Sequence, residues 1–286
     1  MNMSSKLGLL LSTLCCLLVL QGCGSSEGET SEQQDNQAKV PPSIEIIAHR
    51  GDSYKNPENT MAAVESAWQK DADAVEVDVY LSADKRVVGI HDKTTDRTGD
   101  KDLSVMETSS EELRTVDVGS FKDEAFKGEK IPFLEEIVAS VPKGKQLFIE
   151  IKDSERAVPY IKEIIEQSDK KEQMVIIAFD WEVVKASKEQ LPEVPAYWLR
   201  SASRNAMGQY EPIDAELLQK VKDHNIDGLD IHFEGATPEL VKASHEAGMK
   251  LYVWTVNEGK AMNRMAKMGV DGITTDRITR AKEVLK

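Results

Sequence analysis

From residue 43 onward, short apolar runs alternate with stretches in which apolar positions recur at helical spacing. The first run, IEIIA at 44–48, predicts a strand. Residues 57–70 predict a helix, with Pro57 in its first turn and Glu58 facing its positive end. AVEVDVYL (74–81) and RVVGI (86–90) predict two more strands. After a less regular stretch at 93–129 the alternation resumes, with helices expected at 131–141, 155–168, 181–190, 214–224, 237–248, 260–269 and 277–285. Between them lie strands at 146–151, 173–179, 195–200, 226–233, 250–256 and 271–275.

Strands separated by helices call for a parallel sheet covered by those helices. If RVVGI pairs locally beside AVEVDVYL, eight strand-helix units remain, the number that closes a (β/α)8 TIM barrel. An open doubly wound sheet is the competing arrangement, but no glycine-rich dinucleotide turn follows the first strand. The stretch 93–129, rich in Thr, Asp and Gly, is expected to be a small insertion or long loop after the second barrel strand.

The first 42 residues follow another pattern. Lys6 precedes an apolar stretch at 7–20, and small residues surround Cys23, the build of a secretory signal too short to span a membrane comfortably. LQGC resembles the bacterial lipoprotein lipobox, which implies cleavage before Cys23 and a lipid on its sulfur. The expected organisation is a signal peptide at 1–22, a lipid-anchored tether at 23–42 and a folded domain at 43–286. The tether holds almost no apolar side chain and can bury nothing. Gly24 carries no retention signal of the aspartate kind, so the expected location in a Gram-negative host is the periplasmic face of the outer membrane. The alternative is a cleaved soluble signal in which Cys23 is incidental.

Cys15, Cys16 and Cys23 are the three cysteines of the chain, so the folded body has neither disulfides nor thiolate metal sites. A net charge of −14 argues against a surface that wraps nucleic acid or lies on anionic lipid, while leaving room for a local basic pocket that binds phosphate.

In such a barrel the carboxyl ends of the strands converge on one mouth. The first strand delivers His49 and Arg50 there, the second Glu76 and Asp78, GIHD delivers His91 and Asp92, the third barrel strand Glu150 and Lys152, and the seventh Trp254 and Asn257. Glu76 and Asp78 are two apart and point to one side of their strand, as do Glu150 and Lys152. Three carboxylates in one mouth would repel one another unless a cation lay between them, and oxygen ligands select Mg²⁺ or Ca²⁺; zinc stays open if His49 or His91 are ligands. Taken singly, Glu76 and Asp78 could also be a solvent-facing pair, and His91 with Asp92 a turn. His224 and His245 read as structural or cap residues, His232 could rim the mouth, and the methionines of AMNRMAKM read as core.

The motifs HRG with PENT, then EVD, HD, RTG, IEIK, WTVN and GVDGITTD, in this order from about 44 to 276, resemble the glycerophosphodiester phosphodiesterase family. The resemblance implies a TIM barrel that uses one divalent cation, Mg²⁺ or Ca²⁺, to split glycerophosphodiesters into glycerol 3-phosphate and an alcohol such as choline, ethanolamine or inositol. It places a general acid/base pair on His49 and His91, metal ligands on Glu76, Asp78 and Glu150, phosphate-binding residues on Arg50 and Lys152, and an aromatic pocket wall on Trp254. The sequence departs from the family pattern at Thr95, where a leucine is usual, and in having Thr98 alone between Arg97 and Gly99. Two other readings compete: a lyase of the sphingomyelinase D or phosphatidylinositol phospholipase C type that stops at a cyclic phosphate, and a lipoprotein that binds glycerophosphodiesters without cleaving them.

Overall fold

The computed structural model describes residues 44–286; the signal peptide, the lipidated Cys23 and the tether expected over residues 1–42 lie outside the described residues. Its strands are β1 (Glu45–Ala48), β2 (Ala74–Leu81), β3 (Val87–Gly89), β4 (Gln146–Ile151), β5 (Met174–Ala178), β6 (Ala196–Arg200), β7 (Gly228–His232), β8 (Lys250–Trp254) and β9 (Gly272–Thr275). Its helices are α1 (Met61–Gln69), α2 (Ser110–Leu113), α3 (Leu134–Ser140), α4 (Val158–Gln167), α5 (Trp181–Gln190), α6 (Leu217–Asp223), α7 (Pro238–Glu246), α8 (Gly259–Met268) and α9 (Ile278–Leu285).

All strands but β3 run parallel, and β1 pairs with both β2 and β9, so eight strands close into the expected barrel. β3 pairs antiparallel with β2 alone, Tyr80 opposite Val88, as the local-pairing expectation required. The two-residue period of the strands sorts the core into two layers. Ile46, Ala48, Val75, Val77, Leu147 and Ile149 belong to the outer layer beneath the helices. Ile47, Ala74, Phe148, Val175, Ile177, Tyr197, Leu199 and Tyr252 fill the interior. There Tyr252 meets Phe148 and Tyr197 edge-on, with ring centres 5.2 and 4.9 Å apart. At the amino ends of the strands Glu45 closes this floor, accepting from Lys250 Nζ at 2.9 Å and Tyr252 Oη at 3.1 Å. Met262 and Met265 are fully buried, as their helical spacing predicts.

Some element boundaries differ from the sequence expectation. α1 starts at Met61 rather than at 57, because Thr60 caps it through the Ala63 amide at 3.2 Å and Asn59 adopts a left-handed conformation (φ 57°) that a helix cannot contain. Glu58 therefore does not serve the helix terminus and is free to turn to the mouth. α6 begins at Leu217 instead of 214, lengthening the connection from β6.

The expected insertion between β3 and α3 is built around an apolar cluster of its own, comprising Tyr80, Val88, Ile90, Val105, Leu113, Val116, Val118 and Ile131. Thr95, the departure from the family pattern, is fully buried there. Its hydroxyl donates to the Lys101 carbonyl at 2.5 Å and accepts from the Leu103 amide at 3.0 Å, doing by hydrogen bonds what a leucine does by packing.

Gly51 fixes how the chain leaves β1. Its φ is +77°, and a Cβ there would lie 2.6 Å from the Ala63 carbonyl carbon, so loop and helix touch backbone to backbone. Gly51→Ala should therefore cost about 3 kcal/mol or more of stability, combining left-handed strain with steric clash. Gly144→Ala, at φ +80° with nothing within 4 Å, should cost about 1 to 2 kcal/mol. Denaturant midpoints of the two variants measure the difference, and equal losses would refute the close approach.

Candidate active site

The turn made by Gly51 leaves Arg50 in the left-handed region (φ 55°), with its backbone amide aimed inward to donate to Glu76 Oε2 at 2.8 Å. Its side chain follows: Nη1 donates to Glu58 Oε1 at 2.8 Å, and Nε lies 3.2 Å from Asp78 Oδ2. Asp52, two residues on, faces away and accepts from Ser66, Asn56 and Lys70 beside α1.

β2 and β4 run side by side with Asp78 opposite Glu150, which brings the acids of both strands to one place. Glu76, Asp78 and Glu150 each offer a carboxylate oxygen, these atoms lying within 4.8 Å of one another, and all three residues are buried. Asn59 grips Asp78 twice, donating Nδ2 to Oδ2 at 2.9 Å and accepting from the Asp78 amide at 3.0 Å. Lys152 Nζ lies 2.6 Å from Glu150 Oε1 and 3.2 Å from Asp78 Oδ1. Glu76 Oε1 is buried without a hydrogen-bond partner, a costly arrangement for a carboxyl oxygen and the kind that a cation satisfies. Three carboxyl oxygens around one point, with no sulfur or imidazole among them, fit a hard divalent ion.

The charges in this cluster are uneven. Burial, joined by repulsion from Asp78 and Glu150, pushes Glu76 well above the usual carboxylate range. Burial and the nearby Asp78 likewise raise Glu150 to about 7. Asp78 is buried too, but Lys152, Arg50, His91 and Asn59 outweigh that and hold it near 2, so it remains the ionised member.

The two histidines are held in matching arrangements. His49 Nδ1 lies 2.7 Å from Asp276 Oδ1, and His91 Nδ1 lies 2.7 Å from Asp92 Oδ1. Although burial opposes it, hydrogen bonds from His49, Asn257 and Ser53 bring Asp276 down to about 2. Asp92 is lowered by His91 and Arg97, again against burial. Both carboxylates are thus acceptors, so each Nδ1 is the donor, and among the described residues neither Nε2 has a hydrogen-bond partner. Burial lowers the pKa of His91, which also senses the charges of Asp78, Arg50 and Lys152.

The motifs PENT, RTG and TTD assign no task to Asn59, Arg97 or Asp276, while the sequence places Glu58 at a helix end and Asn257 at the mouth without a partner. Arg97 Nε pairs with Asp92 at 2.5 Å, while its Nη1 and Nη2 donate to the two oxygens of Glu58 at 2.9 and 2.7 Å. Arg97 therefore ties the carboxylate behind His91 to the one that holds Arg50. Asn257 donates to Asp276 Oδ2 at 2.6 Å and accepts from its amide at 2.9 Å. Asp230 on β7 is a further buried acid with no motif to mark it in the sequence; burial, with Glu150 nearby, raises it well above the carboxylate range. Trp254 stands at the end of β8, its Nε1 donating to the Asp230 carbonyl at 3.2 Å. His232, opposite it on β7, does rim the mouth. His224 packs edge-on against Trp181, and His245 pairs with Asp271 at 2.9 Å, both away from the site.

A carboxyl group whose pKa rises on folding stabilises the fold below its unfolded value, near 4.5, and loses that contribution as pH rises through its folded value. In chelator, the Glu150 contribution should therefore fall away between pH 4.5 and about 7. Adding Ca²⁺ or Mg²⁺ should raise the melting temperature by roughly 5 to 10 °C at a hundredfold excess over Kd and, at pH 6, release about one to two protons per site, from Glu150 and Glu76. Calorimetry in buffers of different ionisation enthalpy measures the protons, and Glu150→Gln should abolish both responses. An ion that neither stabilises the chain nor releases protons would rule the cluster out as a cation site.

Residues 49–280 match the model of the Glycerophosphoryl diester phosphodiesterase family. The chain is 35% identical over 238 residues to a glycerophosphodiester phosphodiesterase of Caldanaerobacter subterraneus subsp. tengcongensis, covering 81% of this chain and 93% of that one. It superposes on a solved Oleispira antarctica phosphodiesterase in complex with the product sn-glycerol-3-phosphate with a TM-score of 0.77, at 25% identity over 85% of this chain and 96% of that one. A glycerophosphodiester phosphodiesterase of Agrobacterium tumefaciens str. C58 gives 0.72 at 26% identity, covering 84% of this chain and all of that one. A barrel of the same topology, the acidic cluster at its mouth and the family match over nearly the whole described chain agree: this protein is an enzyme of the glycerophosphoryl diester phosphodiesterase family.

Proposed function

We propose that this enzyme hydrolyses glycerophosphodiesters to glycerol 3-phosphate and an alcohol, with His49 and His91 as the acid/base pair. The observation that carries this reading is the placement of Glu76, Asp78 and Glu150 around one point, bordered by two basic side chains. The product bound in the Oleispira relative supports the glycerol 3-phosphate half.

A phosphodiester is already negative and resists nucleophiles, so the site must offset that charge and align the attack. Arg50 has Nη1 on Glu58 and Nε beside Asp78, and among the described residues Nη2 donates to no protein group, which leaves it for a phosphate oxygen. Lys152 adds a point charge from the β4 side. Mg²⁺ or Ca²⁺ held by Glu76, Asp78 and Glu150 supplies Lewis-acid charge to the reacting oxygens when bound. His91, its pKa lowered by burial and its Nδ1 proton fixed on Asp92, starts neutral at Nε2 and takes a proton from the water that attacks phosphorus as the bond to the alcohol oxygen breaks. His49, braced by Asp276, gives a proton to the departing alkoxide from its own Nε2. Trp254 lines the pocket beside them.

Cys23 is read as the lipid-bearing first residue of the mature chain, which places the enzyme on the cell envelope beside the deacylated lipids it consumes. Labelled fatty acid should enter the wild type but not Cys23→Ala when each is expressed in a bacterium; equal labelling would refute the anchor.

Glycerol 3-phosphate release from glycerophosphocholine, glycerophosphoethanolamine and glycerophosphoinositol should stop in chelator and return with Mg²⁺ or Ca²⁺. His49→Ala and His91→Ala should each lower kcat at least about a hundredfold with the melting temperature kept. A loss under tenfold would remove that histidine from its role, and accumulation of a cyclic phosphate would replace hydrolase by lyase.

A further inference from the structure

Beyond Lys152 the mouth continues as an arc of rings drawn from the ends of β5, β7 and β8 and from the β6–α6 connection. Lys152 Nζ lies 5.8 Å from the ring centre of Phe179. Phe179 meets Trp254 edge-on at 5.4 Å, Trp254 meets His232 edge-on at 5.4 Å, and Tyr210 stacks on His232 at 4.7 Å. Arg204 ends the row, its guanidinium 4.0 Å over Tyr210 and its Nη2 donating to the Tyr210 hydroxyl at 2.7 Å. The connection that carries Tyr210 is held in place: Arg204 and Tyr210 bridge antiparallel, Asn205 donates to Gln209 at 2.9 Å, and Ile213 donates to Gly235 at 3.0 Å.

Phe179 is 41% exposed although it stands beside Lys152 of the site. A row of partly open rings ending in an exposed Phe179 at the mouth is a surface that a ligand covers. The charges along the row say which ligand. A quaternary ammonium group is drawn to aromatic faces, but here the protein's own Lys152 and Arg204 sit over the rings at the two ends. Of the carboxylates beside the row, Glu234 is paired with Arg264, and Glu211 accepts from the Ser203 hydroxyl. Burial pushes the pKa of Asp230 well above the usual carboxylate range. A second cation on these rings would therefore meet the charges of Lys152 and Arg204, which already stand over them. An uncharged polyol can lay its C–H face on the rings and give its hydroxyl oxygens to Arg204 as acceptors.

We infer that this arc binds the alcohol half of the diester and selects a cyclic or extended polyol over a quaternary ammonium head group. The inference rests on the phosphodiesterase reading above and adds its substrate preference. Phe179, His232, Tyr210 and Arg204 are the specificity-determining residues, with Trp254 joining them to the reacting centre.

The test is kcat/KM of the full chain, with Mg²⁺ or Ca²⁺ added, on glycerophosphoinositol, glycerophosphoglycerol, glycerophosphocholine and the methyl ester of glycerol 3-phosphate. The inositol and glycerol esters should exceed the choline ester at least about tenfold, a difference of about 1.4 kcal/mol. Arg204→Gln, at an exposed position, should lower the inositol-to-choline ratio at least about fivefold. Phe179→Ala, also exposed, should cost the inositol ester more than it costs the methyl ester. Equal or better turnover of the choline ester by the wild type, or an unchanged ratio in Arg204→Gln, overturns the subsite while leaving the phosphodiesterase reading in place. No turnover of any of the four esters removes that reading and the inference together.

Discussion

Glu76, Asp78 and Glu150 crowd one buried point, and the structure around them is arranged to make that tolerable. Two carboxylates 4.8 Å apart repel by about 3 kcal/mol even at an effective dielectric constant near 20, and each also loses the hydration it had in the unfolded chain. Arg50 and Lys152 offset part of this, and protons on the two glutamates offset more. The left-handed Arg50, the close approach of Gly51 to Ala63 and the turn at Asn59 are backbone features that serve the same end. They bring one guanidinium, one backbone amide and one carboxamide onto acids that would otherwise stand without partners.

The two histidines and their carboxylate partners are fixed in orientation by a second ring of hydrogen bonds. Each histidine is held through Nδ1 by a carboxylate that is itself restrained: Asp276 by Asn257 and Ser53, Asp92 by Arg97. Through Glu58, Arg97 also reaches Arg50, so the insertion and the first loop of the barrel share one hydrogen-bonded clamp. The insertion can bear that load because it has a packed apolar cluster of its own.

Below the mouth the barrel is filled with rings and aliphatic side chains, and its far end is closed by Glu45, Lys250 and Tyr252. The acids thus stand on an apolar floor that keeps bulk water from one side of them, which sharpens every charge interaction above it. The same floor continues sideways and upward into the arc from Phe179 to Tyr210, so the scaffold that tunes the charges also shapes the space beside them.

The sequence by itself determined the order of elements, the count of eight barrel strands and which residues stand at their carboxyl ends. Those are consequences of local periodicity: Glu76 and Asp78 must share a side because the strand repeats every two residues. Helix starts were less legible, since the left-handed Asn59 and the cap at Thr60 depend on where the preceding loop is pulled. What only the tertiary structure decided were the partnerships between distant segments: Asp276 behind His49, Arg97 between Asp92 and Glu58, Asp230 facing the interior near Glu150, and Tyr210 stacked on His232. These depend on barrel closure, strand register and loop docking, which are set by packing across the whole molecule and leave no periodic trace in the chain.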